Sequence, residues 1–268
     1  MSFRYPILTL ALFLFIVTST IPASAENRQA TDHLEKGEKL YRQMKVKEAA
    51  QEFREVIRLD PRNAQAHQRL GAVLASMEDY DTAILESKQA LKLDPKDYLA
   101  HIVLGQIYAN QQKMEMAKKE FEAAITLNPK SYTGHMNLGL ANTNLNQLDR
   151  AVKEYSTACE LKPKKAMAHL NLSLIYQLKG EFPKAIEQAR TAIKLEPGHP
   201  MIHLGLANIY GDANKPEEAI KEYQETLKID KRIYMAHCGI GWMLEQKGDL
   251  DGALAEQKKA LKLEPGYS

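Results

Sequence analysis

Apolar and small residues recur three and four positions apart along most of this chain. The spacing is clear in the run from Leu104 to Tyr108, and again in the run from Ala117 through Phe121 to Ala124. Residues spaced in this way share one face of an α-helix. The pattern therefore predicts amphipathic helices that follow one another in pairs.

The whole pattern returns every 34 residues. Proline holds one recurring position in six cases and lysine in one: Pro61, Pro95, Pro129, Pro163, Pro197, Lys231 and Pro265. The residue before a proline is pushed out of the α region, so this position ends the second helix of each unit. The period predicts seven units, at residues 30–63, 64–97, 98–131, 132–165, 166–199, 200–233 and 234–265.

Two further positions of the unit are always small. Alanine stands twelve residues before each proline position, at Ala49, Ala83, Ala117, Ala151, Ala185, Ala219 and Ala253. A small residue stands twelve positions earlier still, at Gly37, Gly71, Gly105, Gly139, Ser173, Ala207 and Gly241. Small side chains at both positions predict that the two helices of a unit approach closely, so a bulkier residue there should overpack the contact.

These positions resemble the tetratricopeptide repeat, whose pattern places leucine-glycine, tyrosine, alanine, an aromatic residue and proline over 34 residues. The resemblance covers residues 30–265, with histidine in the usual tryptophan position. It implies an all-α fold, a right-handed α-solenoid of seven helix-turn-helix repeats. Stacked neighbours must supply the core, because one helix pair cannot bury both its faces.

The amino terminus has the pattern of a secretory signal. Arg4 precedes a continuous apolar run from Ile7 to Val17, and Ala23-Ser24-Ala25 forms a cleavage site. We predict a signal peptide at residues 1–25, a polar lead-in at 26–29 and a tail at 266–268. The protein should then be exported, periplasmic or secreted, without stable membrane insertion after cleavage. An uncleaved anchor is the alternative, although the apolar run is short for a spanning helix.

Composition and motifs exclude several classes of function. The chain has 36 Lys and Arg against 34 Asp and Glu, so no basic surface for nucleic acid is expected. No nucleophile elbow, phosphate loop, zinc-protease motif or dinucleotide motif occurs. We therefore predict no catalytic residues and no cofactor, and a protein that is not an enzyme.

Seven of the eight histidines share the 34-residue period: His33, His67, His101, His135, His169, His203 and His237. Equivalent residues of stacked helices lie about 8–10 Å apart, which is too far for two imidazoles to share a zinc ion. We predict packing residues with one hydrogen-bonded ring nitrogen, and no metal site. Cys159 and Cys238 stand too far apart along the stack for an intramolecular disulfide, whereas pairing between molecules stays open.

In the tetratricopeptide family, the first helix of each unit lines a concave groove that receives extended peptides or helices. Carried over by register, the groove-lining residues here are Met136, Leu140, Met167, Leu170, Leu174, Met201, Leu204, Asn208, Met235 and Trp242. Adaptable methionines suit varied partners, and tryptophan is a common anchor. The alternative is that Met167, Met201 and Met235 only extend the core between helices.

The predicted function is an exported scaffold that binds segments of other proteins in this groove, with envelope-complex assembly as a family-level expectation. One alternative is a structural subunit that assembles through the ends of its solenoid, including as a homo-oligomer. Another is an accessory subunit of a separate enzyme. The end at residue 265 leaves two interpretations: Glu256, Gln257 and Lys258 cap the last pair, or something else covers it.

Overall fold

The computed structural model describes residues 23–264 and residue 266 of the 268-residue chain. Fourteen α-helices and no strand occur in these residues. The helices are α1 Ala23–Arg42, α2 Val46–Leu59, α3 Ala64–Ser76, α4 Tyr80–Leu93, α5 Tyr98–Asn110, α6 Met114–Leu127, α7 Tyr132–Asn144, α8 Leu148–Leu161, α9 Ala166–Leu178, α10 Phe182–Leu195, α11 Pro200–Asp212, α12 Pro216–Ile229, α13 Tyr234–Gln246 and α14 Leu250–Leu263. They form seven helix-turn-helix repeats, as the 34-residue period predicts.

The chain divides into two compact units. In the first, which ends at Asn63, α1 packs against α2. Here Lys36 Nζ lies 2.7 Å from Glu52 Oε1, so a lysine that replaces the usual leucine is ion-paired at the surface. Residues 1–22 of the predicted signal peptide lie outside the described residues.

The second unit begins at Ala64 and contains α3 to α14. Each first helix packs against the second helix of its own repeat, and each second helix packs against the first helix of the next repeat. Core side chains come from three successive helices at a time; one cluster joins Leu104, Tyr108 and Phe121 of one repeat to Leu138 and Ala141 of the next. The core of this unit therefore runs from repeat to repeat instead of closing within one.

The two recurring small positions lie where the helices of one repeat touch. Ala117 is fully buried. A Cβ atom added to Gly105 would lie 2.5 Å from Cε1 of Phe121, and one added to Gly139 would lie 2.7 Å from Cε1 of Tyr155. Glycine is therefore needed at these two places because an aromatic ring from the second helix lies directly against the backbone of the first.

The turn inside each repeat contains one residue in the left-handed region. These residues also recur every 34 positions: Met44, Glu78, Gln112, Asn146, Gly180, Asn214 and Gly248, with φ between 56° and 82°. The turn is closed by an amide that reaches back five residues, as Lys113 N donates to Tyr108 O at 2.9 Å. Glycine marks this turn in two repeats, and the other five accept a cost of about 1 kcal/mol with an exposed side chain.

Side chains at the helix starts satisfy free backbone amides. Asp79, Asp97, Ser131 and Asp249 each accept a hydrogen bond from an amide in the first turn of α4, α5, α7 and α14 respectively. Proline occupies the first or second position of α10, α11 and α12, where its missing N–H costs nothing. Within residues 23–264, no helix combines the length and apolar character that crossing a membrane requires.

Candidate partner-binding surface

The first helices of the second unit carry a series of exposed apolar side chains. Leu140, Met167, Leu174, Met201, Met235 and Trp242 are between 37% and 51% exposed. Asn208 is exposed and Met136 is half-buried. We call the surface that these residues form on α7, α9, α11 and α13 the first-helix face.

A cavity of about 610 Å³ opens on the first-helix face. Its walls come from α7, α8, α9 and the last residue of α11, namely Leu140, Thr143, Tyr155, Asn171, Leu174, Ile175, Gln177, Leu178 and Asp212. The volume lies within the range of about 300–1,000 Å³ that is usual for ligand pockets. The cavity is mainly apolar, and Asp212 is the one charged residue among those that line it.

The cavity lies where neighbouring first helices separate. The backbones of α7 and α9 approach each other less closely than those of α9 and α11. A Cβ added to Gly205 of α11 would lie 3.3 Å from Cδ1 of Leu170 of α9, so glycine permits the close approach of that pair. The corresponding residue of α9 is Asn171, whose larger side chain lines the wider gap.

Polar groups shape the walls of the cavity. The side chain of Gln177 donates to Oδ2 of Asp212 at 2.7 Å and so links α9 to α11. The ring of Tyr155 passes over Gly139, and its hydroxyl interacts with the side chains of Thr143 and Asn171. Burial raises the pKa of Tyr155, so this hydroxyl is neutral and available for hydrogen bonding at ordinary pH.

Nearby, the hydroxyl of Tyr223 on α12 donates to Oδ1 of the groove residue Asn208 at 2.7 Å. Burial raises the pKa of Tyr223 to about 12, so this donor keeps its proton. The hydrogen bond therefore sets the orientation of an amide that faces solvent on α11.

The structure brings only some of the predicted groove residues together. Leu140 and Leu174 share the cavity. Leu170 and Leu204 are 8% and 5% exposed and belong to core clusters, so the prediction that they line the surface is wrong. Their position faces the neighbouring repeat and not solvent.

The three periodic methionines have a different position. Met167, Met201 and Met235 are 41–50% exposed, so they do not merely extend the core. They lie in the first turn of α9, α11 and α13 and do not line the cavity. They form a separate apolar row along the first-helix face.

Sequence reasoning missed part of the cavity wall. Leu178 and Asp212 each follow a predicted groove residue by four positions, so the helical spacing was a usable signal for them. Tyr155 comes from a second helix and reaches the first-helix face across Gly139. Only the packing of the two helices reveals that contribution.

The seven periodic histidines each contact a residue 19 positions later, on the second helix of the same repeat. Nδ1 lies 2.6–2.9 Å from a side-chain oxygen in the pairs His33–Glu52, His67–Glu86, His101–Glu120, His135–Glu154, His169–Gln188, His203–Glu222 and His237–Glu256. The partner is glutamate in six of these pairs and Gln188 in the seventh, and the prediction of one hydrogen-bonded ring nitrogen does not include this recurring partner on the second helix. The regular distance of 19 residues was the signal.

His135 uses both of its ring nitrogens. Nδ1 donates to Glu154 Oε2 at 2.7 Å and Nε2 donates to the carbonyl oxygen of Pro129 at 3.0 Å. The hydrogen bond with Glu154, aided by that with Pro129, raises the pKa of His135 against the opposing effect of burial. A ring that donates from both nitrogens has no lone pair for a metal ion. In the described part of the chain, no group of three or more His, Cys, Asp and Glu side chains could hold one.

Both cysteines are free thiols. Cys159 is buried, and burial raises its pKa to about 11. Cys238 is only half-buried, and burial raises its pKa as well. Neither thiol is placed as a reactive nucleophile.

Repeated helix pairs, a core shared between repeats and an exposed first-helix face define a tetratricopeptide-repeat protein. A family model described as the cilia and flagella-associated protein 70 C-terminal domain matches residues 19–267. The chain belongs to this family. No curated protein matches the sequence.

Solved structures of tetratricopeptide proteins resemble this fold. YrrB, described as a TPR protein with an unusual peptide-binding site, is 20% identical over 73% of this chain and 97% of its own, with a TM-score of 0.60. A tetratricopeptide repeat protein from Parabacteroides merdae is 16% identical, covering 90% of this chain and 94% of its own (TM-score 0.67). The pilF protein of Pseudomonas aeruginosa is 18% identical, covering 76% of this chain and 92% of its own, with a TM-score of 0.64.

At these identities the likeness shows the fold alone. It confirms the predicted fold class, an all-α right-handed solenoid of helix-turn-helix repeats. This fold indicates a scaffold for protein–protein interaction, and tetratricopeptide-repeat proteins are generally not enzymes.

Proposed function

We propose that this chain is an exported, non-enzymatic scaffold that binds extended or helical segments of partner proteins on its first-helix face. The observation that carries the proposal is the apolar cavity of about 610 Å³ between α7 and α9. A cavity of this kind suits an apolar side chain of a partner. YrrB, which shares the fold, is described as having a peptide-binding site.

The chemistry of the cavity favours a particular kind of segment. Leu140, Leu174 and Leu178 offer apolar walls, and Asp212 places a carboxylate at one side. An apolar residue followed by Lys or Arg would therefore match both features. The polar side chains of Thr143 and Asn171 can hydrogen-bond to the backbone of an extended peptide.

The energy of one such contact is modest. Full burial of a leucine side chain is worth about 1.5–3 kcal/mol, whereas association costs about 4–15 kcal/mol. One side chain in the cavity cannot offset that cost. A partner segment must therefore run along several first helices and also engage the methionine row and Trp242, so short peptides should bind weakly.

Export and a role in assembly of an envelope complex are also part of the proposal. The signal pattern at residues 1–25 supports export. Sequencing the amino terminus of the protein recovered outside the cytoplasm tests it directly. Cleavage after Ala25 would give a chain that starts at Glu26, and an intact Met1 outside the cytoplasm would indicate an uncleaved anchor. Finding the protein only in the cytoplasm would contradict export.

Binding is tested with a displayed library of random peptides that is selected on the purified protein. We expect selected peptides to contain apolar residues beside a basic residue, and their affinity to be measurable by fluorescence anisotropy. Leu140→Lys should abolish binding, and Asp212→Asn should weaken binding of the basic peptides. Leu85→Lys is the matched control, because Leu85 is 67% exposed on the second helix α4 and lies outside the first-helix face.

Circular dichroism must show equal helicity for the three variants. Peptides that bind Leu140→Lys as well as they bind the parent would place recognition outside the cavity and refute the proposal.

A further inference from the structure

Helix α14 carries an apolar stripe that is exposed to solvent. Leu250, Leu254 and Leu261 are 66%, 54% and 44% exposed. The spacing of four and seven residues puts them on one face of the helix, and α14 is the last helix of the described residues. An apolar face of this length is unusual on the surface of a monomer.

In earlier repeats, residues at these register positions are covered by the next first helix. Ile84, Val152, Ile186 and Ile220 correspond to Leu254, and all four are partly buried against core clusters. Leu91, Ile125, Ile193 and Leu227 correspond to Leu261 and are packed in the same way. The exposed stripe is therefore a packing surface of the repeat.

Polar residues of α14 do not cap this surface. Gln257 lies against the first helix of its own repeat, 3.2 Å from the place where a Cβ on Gly241 would stand. Glu256 accepts hydrogen bonds from His237 and Lys259. Of the three residues considered as a polar cap, only Lys258 lies beside the leucines. The interpretation that all three cap the last pair is wrong.

The charges beside the stripe are self-complementary. Asp251 and Lys262 lie eleven residues apart, which on an α-helix brings them to within about 20° of the same direction. Both lie on one flank of the stripe, together with Lys258, and all three are exposed. If a second α14 packs antiparallel, each Asp251 lies opposite Lys258 and Lys262 of the other copy. In a parallel twofold pair, the charged flanks of the two copies would lie on opposite sides of the contact, so these charges would not pair.

We propose that two copies of this chain associate through their α14 helices, packed antiparallel about a twofold axis. A head-to-tail stack of copies is disfavoured by the chemistry of α1. The positions of α1 that would face a preceding repeat hold Lys36 and Lys39, both exposed, where later repeats have Leu104 and Ile107. Lysine side chains cover a leucine stripe poorly because their ammonium groups must stay in water, whereas a second stripe can be buried against it completely.

The contact is small. A helix of 14 residues is about 21 Å long, and two such helices bury less than the 1,200–2,000 Å² of a standard interface. We therefore expect a weak, reversible dimer with a dissociation constant in the micromolar range. The first-helix faces of both copies stay outside this contact, so the dimer presents two binding surfaces at once.

Sedimentation velocity of the purified chain over a range of concentrations tests this arrangement. The parent should shift from monomer to dimer as concentration rises, and Leu254→Lys should abolish the shift. Leu85→Lys, at a leucine of α4 that is 67% exposed, should leave it unchanged. Asp251→Lys should weaken the dimer, and the triple variant that adds Lys258→Asp and Lys262→Asp should restore it.

Each other outcome overturns the proposal. A parent that stays monomeric means that the stripe is covered by another protein or by this chain's own terminal segment. Association that survives Leu254→Lys means that copies meet elsewhere. Failure of the charge swap to restore the dimer, with helicity unchanged by circular dichroism, excludes the antiparallel arrangement.

Discussion

Replacing Gly105 by alanine should destabilise the protein, although the same change in most helices stabilises it. The added Cβ would stand 2.5 Å from Cε1 and 2.7 Å from Cδ1 of Phe121. An ordinary contact between carbon atoms is about 3.5–4.0 Å, so the ring must move by about 1 Å. Phe121 is buried in a cluster with Leu104, Tyr108 and Leu138, which leaves it little room.

The expected magnitude follows from two opposed effects. Overpacking a core typically costs about 1–3 kcal/mol. Alanine gains about 1 kcal/mol over glycine inside a helix. The net loss for Gly105→Ala should then lie between about 0 and 2 kcal/mol, and nearer the upper end because the buried Phe121 ring has little room to move. Gly211→Ala is the matched control, because its Cβ would meet only flexible Met243 atoms at 3.4 Å and more, and Trp242 at 3.6 Å.

Urea denaturation followed by circular dichroism compares the two variants. We expect Gly105→Ala to lower the midpoint and Gly211→Ala to leave it unchanged or raise it. Repeats can unfold separately, so the loss of stability can be confined to the repeat that holds Gly105. Hydrogen exchange should then be faster in α5 and α6 of Gly105→Ala than in the parent. Adding Phe121→Leu to Gly105→Ala should cost less than the sum of the single changes. If Gly105→Ala raises the urea midpoint as Gly211→Ala does, the contact between the Phe121 ring and residue 105 is not what requires glycine there, and the reasoning is refuted.

Two further predictions concern titration and reactivity. The pKa of His135 is raised in the folded state, so its pair with Glu154 stabilises the fold fully below the unfolded pKa, and this contribution is lost as pH rises through the raised value. Denaturation midpoints of the parent should fall over that range relative to those of Glu154→Gln. With a disulfide reagent, Cys238 should react before Cys159, because Cys159 is buried and its pKa is about 11; equal rates would show that the repeat around Cys159 opens readily.

Much of the fold follows from local pattern. Proline, alanine and glycine at fixed positions of a 34-residue period establish the helix pairs, because each signal acts within one helix or one turn. The same reasoning located Leu140 and Leu174, which do share a cavity. It placed Leu170 and Leu204 on the surface as well, because periodicity identifies the side of a helix but not how far the next repeat covers it.

The remaining features depend on contacts between helices. The cavity exists because α7 and α9 lie farther apart than α9 and α11, and Tyr155 reaches it only across Gly139. Six of the seven periodic histidines meet a glutamate across two antiparallel helices, and His169 meets Gln188, at a separation that no single-helix pattern contains. The sequence by itself thus determined the repeating unit, since the helices and turns of that unit depend on residues that are close to one another along the chain. Which faces are covered and which stay open was decided by the stacking of one repeat on the next.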